Sequence, residues 1–112
     1  MRAIEIIMLP VTDRLKSKEF YNKLGLATLV ESKDAHGDPW IQVGFTDQHT
    51  TLSLAGFHGI ICTTDDIEKE REELSRKGIE LGKTDVTPYG KFAWLKDPDG
   101  NGICLREAPG SV

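Results

Sequence analysis

A predicted β-hairpin near the end of the sequence gathers side chains of unusual chemical variety on one face. Because side chains alternate along a strand, Phe92 and Trp94 share this face with Gly102, Cys104 and Arg106. Aromatic rings, a thiol and a guanidinium are typical of a concave site for a small molecule. The alternative is that Trp94 belongs to the core and that Arg106 extends along its edge into solvent. A nucleophilic thiol would need a neighbouring base or cation, and the pattern places no histidine beside Cys104, so binding is favoured over covalent catalysis.

The register of this hairpin follows from its turn, residues 97–101 (DPDGN). Pro98 presets the backbone of the first turn position and Gly100 supplies a left-handed one, which favours a type I turn with a glycine bulge. Counting back along the ladder pairs Trp94 with Cys104. The opposite face is small and aliphatic and is expected to pack on helices; it carries Ala93, Leu95, Ile103 and Leu105.

The elements that position this face belong to a unit that occurs twice. Asp13 and Asp66 lie 53 positions apart, and so do Gly25 and Gly78. In each copy the Asp follows a hydrophobic run and opens a helix-like stretch, where its side chain can accept the unpaired amide hydrogens of the first turn. The Gly just past the stretch can take the left-handed conformation that closes a helix. Each copy therefore begins as a strand followed by a helix.

The rest of each copy alternates like strands separated by turns. The predicted strands are 4–9, 26–31, 40–45 and 50–55 in the first copy, and 57–62, 79–81, 91–96 and 102–106 in the second. The first helix has apolar residues at roughly helical spacing, which predicts a buried side formed by Leu15, Phe20, Tyr21 and Leu24. The sequence therefore predicts two βαβββ modules.

Length and charge limit the classes of function. The 112 residues suit a single domain, residues 1–112, with modules at about 2–55 and 56–107. The net charge is −4 and no basic cluster is present, so nucleic acid and anionic membranes are not expected partners. The apolar run before Pro10 is too short for a signal peptide or a membrane span. With two cysteines and no export signal, we expect a cytoplasmic protein.

Four segments together resemble the vicinal oxygen chelate superfamily, which includes glyoxalase I, bleomycin-resistance proteins and extradiol dioxygenases. They are LPVTD (9–13), EFYNKLGL (19–26), TDDIEKEREELSRKGIE (64–80) and KDPDGNGICL (96–105). The resemblance implies an α+β fold in which two tandem βαβββ modules form an open eight-stranded mixed barrel with the helices outside. It also implies a ligand cavity inside the barrel, and short members of this family are commonly homodimers.

The metal site of the superfamily decides which activity is expected. The resemblance places metal ligands at positions occupied here by Ile6, Ser53, Gly59 and Cys104. None of these is a His, Asp or Glu, whereas a hard divalent ion needs several imidazole or carboxylate ligands. We therefore expect no metal ion and no cofactor. The alternative is a displaced site, because Glu5 and His58 each precede a lost ligand position and a β-bulge could turn them inward.

The sequence thus predicts a metal-free small-molecule-binding protein resembling the bleomycin-resistance branch, with a small-molecule ligand and a second copy of the chain as its partners. The alternative is a metal-dependent lyase, isomerase or dioxygenase that uses displaced metal ligands, and no catalytic residue is identified. The expected ligand-binding residues are Ile6, Met8, Trp40, Gln42, Ser53, Gly59, Ile61, Phe92, Trp94, Cys104 and Arg106.

Overall fold

The computed structural model describes residues 1–47 and 49–110. The elements follow the order β1 (Ala3–Pro10), α1 (Arg14–Leu24), β2 (Ala27–Lys33), β3 (Pro39–Gly44), β4 (Thr51–Ala55), β5 (Gly59–Thr63), α2 (Ile67–Arg76), β6 (Asp85–Thr87), β7 (Gly90–Lys96) and β8 (Gly102–Glu107). This order is βαβββ written twice, and parallel and antiparallel strand pairs both occur. The predicted α+β fold class is therefore confirmed. Neither helix of the described residues is long and apolar enough to cross a membrane.

The chain divides into two compact units. The amino-terminal unit comprises Glu5–Gly59, and the carboxy-terminal unit comprises residues 60 onward together with Met1–Ile4. The first residues belong to the second unit because they bond to β5: the amide of Arg2 donates to the carbonyl of Thr63 at 2.9 Å.

Both helices begin and end as the repeat predicts. The Asp13 carboxylate accepts from the amide of Lys16 at 3.1 Å, and the Asp66 carboxylate accepts from the amide of Lys69 at the same distance. Each cap satisfies an amide of the first turn that has no partner inside the helix. Beyond the helix ends, Gly25 has φ 107° and Gly78 has φ 80°, and both values lie in the left-handed region.

In the amino-terminal unit the strand order is β2-β3-β4-β1. β1 and β4 run parallel, and the other neighbours are antiparallel. A core of Ile41, Val43 and Leu54 packs with Tyr21 of α1 and with Val11, Leu26 and Leu52. One face of this sheet is therefore covered by α1.

The prediction that α1 buries four apolar residues is wrong for three of them. Leu15 and Leu24 are each 60% exposed, Phe20 is also exposed, and only Tyr21 joins the core. The reason is the angle between these positions. At about 100° per residue, Leu15 lies roughly half a turn from Leu24 and is separate from the other three residues. Phe20 and Leu24 lie about 100° and 60° from Tyr21, both to the same side of it, and only Tyr21 reaches the core.

In the carboxy-terminal unit the strand order is β5-β8-β7-β6. The predicted hairpin register is confirmed, since Trp94 pairs with Cys104 and Phe92 pairs with Arg106. The turn is also as predicted: the amide of Asp97 donates to the Asn101 carbonyl at 3.0 Å, and Gly100 has φ 86°. The helix-covered core of this unit contains Cys62, Ile67, Leu74, Leu81, Ala93 and Leu105, with Ile60 and Leu95 packed against it.

The strand predicted at residues 79–81 is wrong, because the sixth strand lies at Asp85–Thr87. The amide of Ile79 instead donates to the Leu74 carbonyl at 2.9 Å and completes the end of α2. Leu81 is buried in the core from an irregular segment. Arg71 of α2 fixes this segment, because its guanidinium donates to the carbonyls of Leu81 and Gly82 at 2.8 Å each. These residues therefore serve helix closure and packing before the chain pairs with β7.

Candidate functional site

The sheet face opposite α1 in the amino-terminal unit collects five of the predicted ligand-binding residues. Strand alternation turns Trp40 and Gln42 away from Ile41 and Val43, whose side chains pack toward α1. Gln42 pairs with Ser53 across β3 and β4. Across β4 and β1, Ser53 pairs with Met8 and Thr51 pairs with Ile6. We call this set the amino-terminal face; it comprises Ile6, Met8, Trp40, Gln42, Thr51 and Ser53.

A chain of hydrogen bonds crosses the amino-terminal face. The indole Nε1 of Trp40 donates to Oε1 of Gln42 at 2.6 Å. The carboxamide Nε2 of Gln42 donates in turn to Oγ1 of Thr51 at 2.9 Å. All three side chains are half-buried, so the bonds hold the indole ring and the carboxamide in fixed orientations at a surface that a small molecule can reach. We call these three residues the Trp40–Thr51 relay.

Ser53 lies deeper on the same face. Its residue exposure is 0%, and among the described residues its hydroxyl oxygen is a buried side-chain polar atom without a hydrogen-bond partner. Ile6 and Met8 are also buried. Native proteins pair the large majority of their buried polar groups, so a lone buried hydroxyl is a feature that calls for an explanation.

The face opposite α2 in the carboxy-terminal unit carries the other two aromatic residues of the predicted site, Phe92 and Trp94. Trp94 is 39% exposed and does not belong to the core that α2 covers, whereas its partner Cys104 is fully buried. The Arg106 guanidinium carbon lies 6.0 Å from the centroid of the Phe92 ring. Arg106 also donates through Nε and Nη2 to the carbonyl of Tyr89, at 3.1 and 2.9 Å. This arrangement excludes the reading in which Trp94 packs beneath a helix.

The two remaining predicted residues lie on β5. Ile60 and Cys62 pack in the core of the carboxy-terminal unit, so alternation directs Gly59 and Ile61 to the other face. Ile61 is buried, and Gly59 begins the strand two positions after the predicted start.

The residues at the superfamily's metal positions do not fit a hard divalent ion. Ile6 and Gly59 have no side-chain donor, Ser53 offers a neutral hydroxyl, and Cys104 offers a buried thiol. No cluster of three or more His, Cys, Asp or Glu residues suited to a metal is present within residues 1–47 and 49–110.

The displaced metal site would require an irregular first strand. The register of β1 against β4 runs without a shift from Ile6 to Pro10, so alternation places Glu5 on the face opposite Ile6. His58 is exposed and precedes β5. The register of β1 from Ile6 to Pro10 therefore gives no support for the bulge that a displaced site would need.

Sequence reasoning missed two parts of these faces. Thr51 bonds to Gln42, and the signal was available, because Thr51 precedes Ser53 by two residues and shares its face. The Tyr89 carbonyl that holds Arg106 has no signature in the sequence, because any residue has a carbonyl and only the turn between β6 and β7 brings this one into place.

Comparison with known proteins agrees with this fold. A family model for the Glyoxalase/Bleomycin resistance protein/Dioxygenase superfamily matches residues 3–105. Methylmalonyl-CoA epimerase from Mycobacterium tuberculosis is 16% identical with a TM-score of 0.79, over 96% of this chain and 88% of the epimerase chain, a likeness that concerns the fold alone.

Two proteins from Streptomyces sp. CB03234 are more similar in sequence and less similar in superposition. TnmS3, an antibiotic binding protein, is 28% identical with a TM-score of 0.46, over 97% of this chain and 98% of its own. A glyoxalase/bleomycin resistance protein is 30% identical with a TM-score of 0.43, over 94% and 100%. No curated protein matches the sequence significantly. Since the family model spans nearly the whole sequence, the chain belongs to the Glyoxalase/Bleomycin resistance protein/Dioxygenase superfamily.

Proposed function

We propose that the protein binds a small organic molecule without a metal ion and without changing it chemically. The amino-terminal face is the ligand site of this proposal. The residues opposite α2 in the carboxy-terminal unit, Phe92, Trp94, Cys104 and Arg106, are further candidate contacts. Gly59 and Ile61 complete the set of candidates.

The observation that carries the proposal is the composition of the amino-terminal face. Buried Ile6 and Met8 of β1 share a face with half-buried Trp40 and Gln42 of β3, and the buried Ser53 hydroxyl of β4 lies on the strand between them. Small-molecule sites have this character: mostly apolar and aromatic surface with a few polar groups in fixed positions. A face that only covered a core would have no need of a buried hydroxyl without a protein partner, since such a group costs stability.

The absence of metal chemistry in this proposal rests on the donors. Family members with one fold carry out different activities, so the residues at the site must decide. An ion that polarises a carbonyl or activates water needs two or more strong ligands and an open coordination position. Ile6, Ser53, Gly59 and Cys104 do not provide them.

Elemental analysis of the purified protein tests the metal-free part of the proposal. We expect zinc, nickel, manganese and iron to remain far below one equivalent after dialysis. The proposal is wrong if about one equivalent survives dialysis and is lost in the Glu5→Ala or His58→Ala variant, since that result would locate a displaced metal site.

We also propose that the protein acts as a cytoplasmic homodimer. The exposed Phe20 and Leu24, which lie one turn apart on the same side of α1, support association between copies, because neighbouring exposed apolar side chains are typical of a contact surface. Light scattering during gel filtration should give twice the mass of the chain, and the monomer mass at all concentrations would contradict this.

A further inference from the structure

We infer that the amino-terminal face selects ligands that carry a hydrogen-bond acceptor, such as a carbonyl oxygen. This inference rests on the proposed function and adds to it the chemical class of the bound molecule. It also adds Thr51 to the residues that determine specificity.

The direction of the Trp40–Thr51 relay follows from the chemistry of its first member. An indole N–H can only donate, so the atom of Gln42 that faces Trp40 must be the carboxamide oxygen. The amide nitrogen of Gln42 then faces Thr51, and because an amide nitrogen can only donate, Oγ1 of Thr51 accepts. The Trp40 indole therefore determines the donor and the acceptor of both hydrogen bonds in the relay.

The relay determines what Thr51 offers to a bound molecule. Its hydroxyl oxygen already accepts from Gln42, so the hydroxyl proton points away from the carboxamide. Ser53, two residues along β4 on the same face, adds a second hydroxyl whose buried oxygen has no hydrogen-bond partner among residues 1–47 and 49–110. The Thr51 proton therefore favours a ligand that accepts, whereas a relay of the opposite direction would favour a ligand that donates. The Ser53 hydroxyl can donate as well as accept, so it fits the same ligand without setting the preference.

The inference can be tested with two probe molecules of nearly equal shape, 2-acetylnaphthalene and 2-ethylnaphthalene. The first carries a carbonyl oxygen where the second carries a methylene group. Their dissociation constants are measured by quenching of tryptophan fluorescence in the wild type and in the Thr51→Val variant. This substitution removes the hydroxyl group and keeps the Cγ2 methyl group, which lies next to Gly44. The Thr50→Val variant is the matched control, since Thr50 is exposed and lies outside β4.

The informative quantity is the ratio of the two dissociation constants, because the ethyl compound is the more hydrophobic. In Thr51→Val the dissociation constant of 2-acetylnaphthalene, divided by that of 2-ethylnaphthalene, should rise by roughly three- to tenfold, which is the effect of losing one hydrogen bond. Thr50→Val should leave this ratio unchanged. The Gln42→Glu variant should shift it the same way, because a carboxylate accepts from both Trp40 and Thr51 and turns the Thr51 proton inward.

The outcomes separate this inference from the proposed function. If both probes bind the wild type and the ratio is the same in Thr51→Val and Gln42→Glu, the inference is overturned while the proposed function stands. If neither probe binds the wild type saturably, the inference also fails, whereas the proposed function is judged separately by its elemental analysis. An unchanged thermal transition in Thr51→Val shows that any shift in the ratio does not come from unfolding.

Discussion

Replacement of Ser53 by alanine should make the ligand-free protein more stable. The hydroxyl is fully buried and its oxygen has no partner in the described residues, so it bears the full cost of desolvation. That cost is about 1–3 kcal/mol for a neutral polar group. The cavity left by one oxygen atom, roughly 15 Å³, destabilises the variant by only about 0.4 kcal/mol. The net gain should be roughly 1–2 kcal/mol, which raises the melting temperature by about 4 °C or more in a chain of this size.

Thermal and urea unfolding without ligand measure this effect, with Ser32→Ala as the control because Ser32 is an exposed strand serine in the same unit. The same Ser53→Ala protein should bind 2-acetylnaphthalene more weakly than the wild type does. A stabilised protein with weakened binding is expected where a polar group is retained for function at the expense of stability. If Ser53→Ala is as stable as the wild type or less stable, the hydroxyl is satisfied in the ligand-free protein, for example by enclosed water, and the reasoning is refuted.

Two further predictions concern the helix ends and the hairpin turn. Gly25→Ala and Gly78→Ala should each destabilise the protein by about 1 kcal/mol, because an added Cβ meets no neighbour but strains the positive φ; Gly56→Ala, where φ is not positive and space is open, should be nearly neutral in thermal unfolding. Hydrogen bonds from Asn101 lower the pKa of Asp97; the bond from the Asn101 side chain has the larger effect and the bond from its backbone N–H the smaller. This carboxylate therefore stabilises the fold above its unfolded-state pKa, and the contribution is lost as the pH falls through the lower folded-state pKa. In Asn101→Ala the pKa of Asp97, followed by carboxyl NMR, should rise toward its ordinary value, and an unchanged pKa would contradict this assignment.

Local chemistry made most of the fold predictable. The caps at Asp13 and Asp66 and the glycines after each helix act within a few residues, so their pattern in the sequence is sufficient. The hairpin register was likewise set by five consecutive residues at 97–101. The sixth strand was misplaced because Leu81 is recruited to the core by packing and by Arg71, and these tertiary contacts override the local strand signal.

The candidate site was predictable in its sidedness and not in its hydrogen bonding. Alternation puts Trp40 and Gln42 on one face of their strand, and analogy between the two modules assigned that face to the site; the pairing of Gln42 with Ser53 then came from the structure. The bonds of the Trp40–Thr51 relay depend on side-chain rotamers across two strands, which no periodicity encodes. For the same reason the unpartnered Ser53 hydroxyl could be recognised only once its surroundings were known.

The affinity for 2-acetylnaphthalene, measured with and without EDTA, tests the central claim most directly. A binding protein that needs no metal should show saturable binding with the same dissociation constant in EDTA as in buffer that contains zinc, nickel or manganese. Binding that appears only when a divalent ion is added, or a probe that is converted to another compound during the titration, would contradict the account.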